Sequence, residues 1–179
     1  MDNVNIRFVR LNSNEERPSF DCKDKDLNEF FHVDSKNGAK DLTTVTYAVE
    51  TNEVLAAFFC VSNDSIRKED TTPTKFRKIQ SGMTPSKKFS SMPAVKIGRL
   101  ATIEKGNGIG TLILDLIKVW FTKGNKTGCR FIIVDARNSP KVLNFYKKNG
   151  FKFLDTDIKC RSERTRLMFF DLFTFVNSD

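Results

Sequence analysis

The sequence predicts an α/β fold: one domain over residues 1–179 on a mixed, mostly antiparallel sheet, with one β-α-β parallel core and helices flanking it. Three observations predict it. First, residues 95–103 are rich in β-branched and aliphatic side chains, residues 104–110 form a glycine-rich turn, and Ile109, Leu112, Ile113, Leu116, Ile117 and Trp120 then recur at i, i+3, i+4 spacing. Strand, glycine turn and amphipathic helix follow one another without a break. Second, residues 130–135 (RFIIVD) read as a buried strand, and Ser139-Pro140 beyond them reads as a helix start. Third, short strand-like runs bounded by turn residues lie on both sides of this centre. A chain of 179 residues, 39% hydrophobic with 17 Phe, suits one sizeable core.

Taken in order, residues 6–9 are a short first strand, with Arg7 and Arg10 set between apolar residues. Phe20, Leu27, Phe30 and Phe31 point to an amphipathic helix over residues 25–36, with Asp24 or a neighbour as its cap and Gly38 as its stop. His32 lies on that helix and reads as a solvated or packing histidine. Residues 43–50 (TTVTYAVE) and 54–62 (VLAAFFCVS) are strands joined at Thr51-Asn52-Glu53, a connection of hairpin length. Residues 64–93 read as a long irregular segment holding three of the five prolines, with a short helix expected over 75–80. Residues 124–128 are a turn. The helix after Pro140 carries Val142, Leu143, Phe145 and Tyr146 and ends before Gly150, which suits a left-handed position past a helix end. Residues 151–156 and 165–173 are two further strands.

Composition excludes several classes of function. No run approaches the ~18–20 apolar residues of a membrane span, and MDNVNIRFVR lacks an apolar signal region, so a cytoplasmic location is expected. Cys22, Cys60, Cys129 and Cys160 are far apart without a C-x-x-C pair. They read as reduced, mostly buried residues, and the single His32 cannot build a multi-histidine zinc site. No metal is expected. A net charge of +8 favours an acidic partner. Between Asp64 and Arg99 stand Arg67, Lys68, Lys75, Arg77, Lys78, Lys87, Lys88, Lys96 and Arg99, with Phe76 and Phe89 interleaved. Such a segment could hold an RNA backbone or be a solvated loop of mixed charge.

The glycine turn points to a ligand. A helix start after a glycine loop offers unpaired backbone N–H groups and the positive end of the helix dipole, which suit a phosphate or pyrophosphate. The spacing discards two phosphate loops. A P-loop would need lysine and a hydroxyl residue after its last glycine, and Thr111 follows Gly110. The dinucleotide fingerprint begun at Gly106 would need glycine where Thr111 stands. What remains is basic-x-x-Gly-x-Gly, running Lys105-Gly106-Asn107-Gly108-Ile109-Gly110. The competing reading is an ordinary turn between strand and helix.

That loop resembles the pyrophosphate loop of the GNAT superfamily of N-acetyltransferases, Arg/Gln-x-x-Gly-x-Gly/Ala, with Lys105 in the basic position. A second stretch follows at the family's distance. Residues 139–151 resemble N-x-x-A-x-x-hydrophobic-Tyr-x-x-x-Gly-Phe, with Ser139 for the Asn, Val142 for the Ala, and the end Tyr146, Gly150, Phe151 intact. Narrower features are similar to the acetyltransferase toxins of toxin–antitoxin pairs. Phe20-Asp21-Cys22, then Leu27-Asn28-Glu29-Phe30-Phe31, resembles their opening, and Gly98-Arg99-Leu100-Ala101 their GRLA strand.

The resemblance implies a GNAT fold, a central sheet with a V-shaped splay between two parallel strands. Acetyl-CoA would be the cosubstrate. Backbone groups at Leu100, Ala101 and Thr102 would hold the pantetheine arm and polarise the thioester carbonyl, and Lys105, Gly106, Asn107, Gly108, Ile109, Gly110 and Thr111 would cradle the pyrophosphate. Tyr146 would protonate the leaving thiolate, its alternative being a buried aromatic on the helix face. Asn138 and Asn144 would touch the cofactor or serve as helix-end polar residues. The acceptor implied is the α-amine of aminoacyl-tRNA, and the partner a small ribbon-helix-helix antitoxin, with a homodimer left open and no membrane partner. Two other readings stand beside this one. The same chemistry could act on a small-molecule, peptide or protein amine, or the fold could serve as a non-catalytic CoA-binding or antitoxin-partner module.

Overall fold

Asn52 and Glu53 both take left-handed backbone, with φ of 49° and 67°. Two consecutive residues of this kind make the two-residue turn whose twist matches that of the flanking strands. They join β2 (Val45–Thr51) to β3 (Val54–Arg67) with Thr51 opposite Val54. The Asn52 amide nitrogen donates to the Asn5 carbonyl at 2.9 Å, and the Asn5 N–H donates to Asn52 Oδ1 at 3.2 Å. This anchors β1 (Ile6–Leu11), which pairs antiparallel along β2 with Ile6 opposite Thr51.

The computed structural model describes residues 5–83, 89–125, 127–154 and 163–176. Its strands include β4 (Ser91–Thr102), β5 (Phe131–Arg137), β6 (Lys152–Phe153) and β7 (Thr165–Asp171). The seven strands form one sheet in the order β1-β2-β3-β4-β5-β7-β6. β1–β2, β2–β3, β5–β7 and β6–β7 are antiparallel. β4 and β5 are neighbours joined through a helix, α4 (Ile109–Thr122), and the other helices flank the strands in sequence. The α/β class and the mostly antiparallel sheet are those the sequence predicts. The chain divides into two compact units, residues Met1–Ser62 with Ile97–Ile113, and Asn63–Lys96 with Leu114–Asp179.

In the first unit, α1 (Lys25–Glu29) begins where predicted, and the Asp24 side chain accepts from the Leu27 N–H at 3.3 Å. The helix does not stop at Gly38. It passes through a π-helical turn, Phe30–Asp34, into α2 (Ser35–Lys40). Gly38 meets a packing constraint: a Cβ there would lie 2.3 Å from Thr44 Oγ1, and its carbonyl accepts from the Thr43 and Thr44 N–H groups at 2.9 and 3.2 Å. The left-handed residue after the helix is Leu42, with φ of 58°. The π turn seats Phe31 fully inside, its ring 4.9 Å from those of Phe20 and Phe58. These rings form the unit's core with Leu11, Cys22, Ala48 and Ala101. His32 packs edge-on to Phe31 and reaches the Phe20 carbonyl with Nε2 at 3.2 Å.

The second unit corrects the reading of residues 64–93 as irregular. β3 continues to Arg67, a 3₁₀ turn covers Lys68–Asp70, and α3 (Pro73–Ile79) follows, starting before the expected residue 75. Thr72 caps α3, its hydroxyl accepting from the Lys75 N–H at 3.3 Å, and Pro73 fills the first turn, where no N–H is needed. α3 buries Phe76 and Ile79 against Ile66, Met92, Phe131, Ile133, Leu154 and Phe169. The last strand is also shorter than expected. β7 ends at Asp171, whose carboxylate accepts from the Phe173 N–H at 3.0 Å and opens α6 (Leu172–Val176). Of the expected features, Lys87, Lys88, Cys160, turn residue Lys126 and residues 155–156 lie outside the described residues.

The apolar stripe of α4 is rotated from its predicted phase. Ile113, Leu114 and Ile117 are buried, whereas Leu112 and Trp120 stay 42% and 40% exposed. Apolar residues stand at 112, 113, 114, 116 and 117, so spacing alone fits more than one face.

Candidate functional site

The sequence-predicted residues fall in both units. In the first unit, Leu100, Ala101 and Thr102 end β4, and Ala101 is buried in the Phe20–Phe31–Phe58 core. One residue on, the Ile103 N–H donates to the Ala56 carbonyl at 2.9 Å. The loop from Glu104 to Gly108 is exposed. Gly106 and Gly108 take φ of 90° and 84°, backbone that a side chain would strain, and a Cβ on either would meet nothing within 4 Å. The loop surface is therefore open, and the glycines answer to backbone shape.

Asn107 organises the helix start. Its Oδ1 accepts from the Ile109 N–H at 3.2 Å, and its Nδ2 donates to Glu104 Oε2 at 3.4 Å. The Leu112 N–H makes the first turn's bond, to the Gly108 carbonyl at 3.1 Å. Among the described residues, the N–H groups of Gly110 and Thr111 have no acceptor. Two free donors, a positive helix end and the exposed Lys105 beside them are chemically suited to hold an anionic group.

In the second unit, α5 (Pro140–Lys148) carries Tyr146. Pro140 opens the helix as predicted, but the Ser139 hydroxyl makes no capping bond. At the far end Gly150 takes φ of 85°, the Gly150 N–H donates to the Lys147 carbonyl and the Phe151 N–H to the Tyr146 carbonyl, each at 3.0 Å. This is the left-handed closure expected of Gly150. Tyr146 is buried, its ring edge-on to Phe145 and Phe151 at 5.1 and 5.3 Å. Burial pushes its phenol up to about 12, so it holds its proton throughout the neutral range. Among the described residues, nothing hydrogen-bonds its hydroxyl.

The two asparagines differ. Asn138 ties the end of β5 to the approach of β7, its N–H donating to the Arg164 carbonyl at 2.9 Å and its Nδ2 to the Glu163 carbonyl at 2.8 Å. Asn144 lies exposed on α5. The basic segment is also divided. Lys96 pairs with Asp135 at 2.5 Å, Arg99 lies over the Phe30 ring at 5.3 Å, and Lys75 Nζ donates to the Phe153 carbonyl at 2.6 Å. Arg67, Lys68, Arg77 and Lys78 are exposed. Cys22, Cys60 and Cys129 are buried free thiols, and burial lifts Cys60 to about 11.

One residue of consequence escaped sequence reading. Lys118 is 5% exposed on the inner face of α4, with its ammonium 3.0 Å from the Asn149 carbonyl. Its signal was its place one residue after Ile117, on a helix face whose phase the sequence leaves open.

The chain shares the α/β fold of solved toxin structures that are 15–21% identical to it. No protein-family model matches it. Among solved structures it is similar to a tyrosine-to-phenylalanine mutant of KacT, at 20% identity and a TM-score of 0.71 over 96% of this chain and 97% of that one. It is similar to AtaT complexed with acetyl-methionyl-tRNA, at 20% identity and a TM-score of 0.70 over 97% and 98%. AtaTR bound with acetyl-CoA matches at 21% identity and a TM-score of 0.68, over 98% of both chains.

Proposed function

We propose that the chain is an acetyl-CoA-dependent N-acetyltransferase acting on a primary amine, the α-amine of aminoacyl-tRNA, and that a small ribbon-helix-helix antitoxin neutralises it. The observation that carries the reading is the open loop at Gly106 and Gly108, set against the two free N–H groups at the start of α4. It offers backbone, rather than side chains, to a pyrophosphate. Likeness to AtaT, whose structures hold acetyl-methionyl-tRNA and, separately, the C-terminus of the antitoxin AtaR, supports the acceptor and the partner.

Acetyl-CoA supplies an acyl thioester with a thiol leaving group. Lys105 and the backbone of Gly106 to Thr111 bind its phosphates, with Asn107 holding the helix start in shape. The backbone at Leu100, Ala101 and Thr102 holds the acyl arm and polarises the carbonyl with fixed dipoles. The acceptor attacks as the neutral amine. With a pKa near ~8, an α-amine loses its proton to water without a dedicated base. Tyr146 keeps its proton at the phenol oxygen and gives it to the departing sulfur. Asn138 and Asn144 take polar contacts to the cosubstrate at the start and outer face of α5.

The test is Tyr146→Phe. Acetylation of aminoacyl-tRNA should fall by roughly 10²–10⁴-fold, with acetyl-CoA affinity by isothermal titration within about twofold of the parent. Turnover equal to the parent's would reduce Tyr146 to a packing residue. A parent that binds acetyl-CoA without turnover on any amine would favour the binding-module reading.

A further inference from the structure

We infer that Lys118 is a positioning residue for Tyr146: its buried ammonium fixes the end of the helix on which the phenol is carried. The inference rests on the role proposed for Tyr146.

A lysine charge is costly to bury, and Lys118 is 5% exposed. Its carboxylate partner among the described residues, Asp115 at 2.8 Å, sits one turn earlier with half its own side chain in solvent. The other contacts reach away from α4. Lys118 Nζ donates to the Asn149 carbonyl at 3.0 Å and lies 4.6 Å from the centre of the Phe170 ring. Both contacts lead to Tyr146 by short routes.

The first route is the backbone. Asn149 ends α5, and its N–H donates to the Phe145 and Tyr146 carbonyls at 3.2 and 3.1 Å. Its Nδ2 also donates to the Phe145 carbonyl, at 2.8 Å. Fixing the Asn149 carbonyl thus fixes the turn that holds the Tyr146 peptide. A cation is also favoured at a helix C-terminus, where the dipole is negative. The second route is through rings. Phe170 lies under Lys118, packs on Phe151 at 5.6 Å, and would lie 2.9 Å from a Cβ on Gly150. Phe151 in turn packs on the Tyr146 ring at 5.3 Å. No hydrogen bond among the described residues holds the Tyr146 hydroxyl, so its position is set by this backbone and these rings.

A hydroxyl that must meet a reacting atom tolerates little displacement, since an error of about 1 Å can cost ~10²-fold. Removing the ammonium should therefore lower turnover through Tyr146 and leave binding of the cosubstrate alone.

The experiment is a double-mutant cycle of Lys118→Met and Tyr146→Phe, read as acetylation of bulk aminoacylated tRNA. Acetyl-CoA titration and thermal melting accompany each variant. Lys118→Met in the parent should lower kcat by about tenfold with the KM for acetyl-CoA within about twofold, and should cost less than about twofold in the Tyr146→Phe background. Lys118→Arg, which keeps the charge but moves its donors, should regain only part of the loss. An equal loss in both backgrounds, or no loss in the parent, overturns the inference. If Lys118→Met does not fold, the same cycle is read with Lys118→Arg, and equal losses there overturn it too. Tyr146→Phe alone separates the two readings: normal turnover in that variant removes the role of Tyr146, and Lys118 falls with it. A slow Tyr146→Phe with an additive Lys118 removes only the positioning role.

Discussion

Gly106 and Gly108 shape an exposed loop through backbone alone. Each holds a left-handed φ on an exposed loop where a Cβ would touch no protein atom, so a substitution strains the local backbone but disturbs no packing. Gly108→Val should therefore destabilise the fold only by its backbone strain, about 1–3 kcal/mol, while weakening acetyl-CoA binding by more than about tenfold, because branched methyl groups would stand where a pyrophosphate held by this loop would approach. Isothermal titration on the folded variant checks this, and parent-like affinity would remove the loop from the cofactor site. The glycines and Lys105 stand out in the sequence by the spacing of the loop, whereas Tyr146 stands out only through the resemblance of residues 139–151 to a family pattern. Lys118 stands out in neither way. A lysine beside Ile117 reads as solvated until the helix phase is known, and that phase is set by what packs against α4.

At the scale of elements, starts were more legible than ends. Asp24 and Pro140 stand at helix starts the sequence indicates, one with a side-chain acceptor and the other with no N–H to satisfy, whereas Thr72-Pro73 opens α3 ahead of the expected residue 75. Ends depend on partners distant in sequence. Gly38 read as a stop, yet it lies in α2 because Thr44 folds back on it, and Asp171 converts the end of a strand-like run into α6. Gly38→Ala tests the first case. Its Cβ would lie 2.3 Å from Thr44 Oγ1, so something must shift, and the melting temperature should fall. A loss of about 1–3 kcal/mol in denaturant titration is expected for such overpacking. A more stable Gly38→Ala would show instead that helix propensity dominates there. In residues 64–93 the short helix is legible near 75–80, but the run of β3 to Arg67, the 3₁₀ turn at Lys68–Asp70 and the start of α3 at Pro73 are not, because lysines, prolines and serines carry no clear period there.

At the scale of the whole molecule, the +8 charge is not all available to a partner. Lys96, Arg99 and Lys75 have their heads engaged by Asp135, the Phe30 ring and the Phe153 carbonyl, whereas Arg67, Lys68, Arg77 and Lys78 are exposed among the described residues of that segment, and the last three are the ones to test. Converting these three to Gln should weaken tRNA binding and flatten its salt dependence, because fewer counterions are released, while acetyl-CoA affinity stays unchanged. Binding measured at several salt concentrations decides, and superimposable curves would place the RNA contacts elsewhere. The strand-by-strand pairing also bears on how quickly the chain reaches this state. The Asn52–Glu53 turn closes β2 on β3 over two residues, whereas pairing Ile6 with Thr51 encloses everything between them, including all of α1 and α2. Loop-closure entropy favours the hairpin as the early event and makes the first strand a late arrival. As a nascent chain emerges, its N-terminal segment must therefore wait, unpaired, for residues made some way behind it.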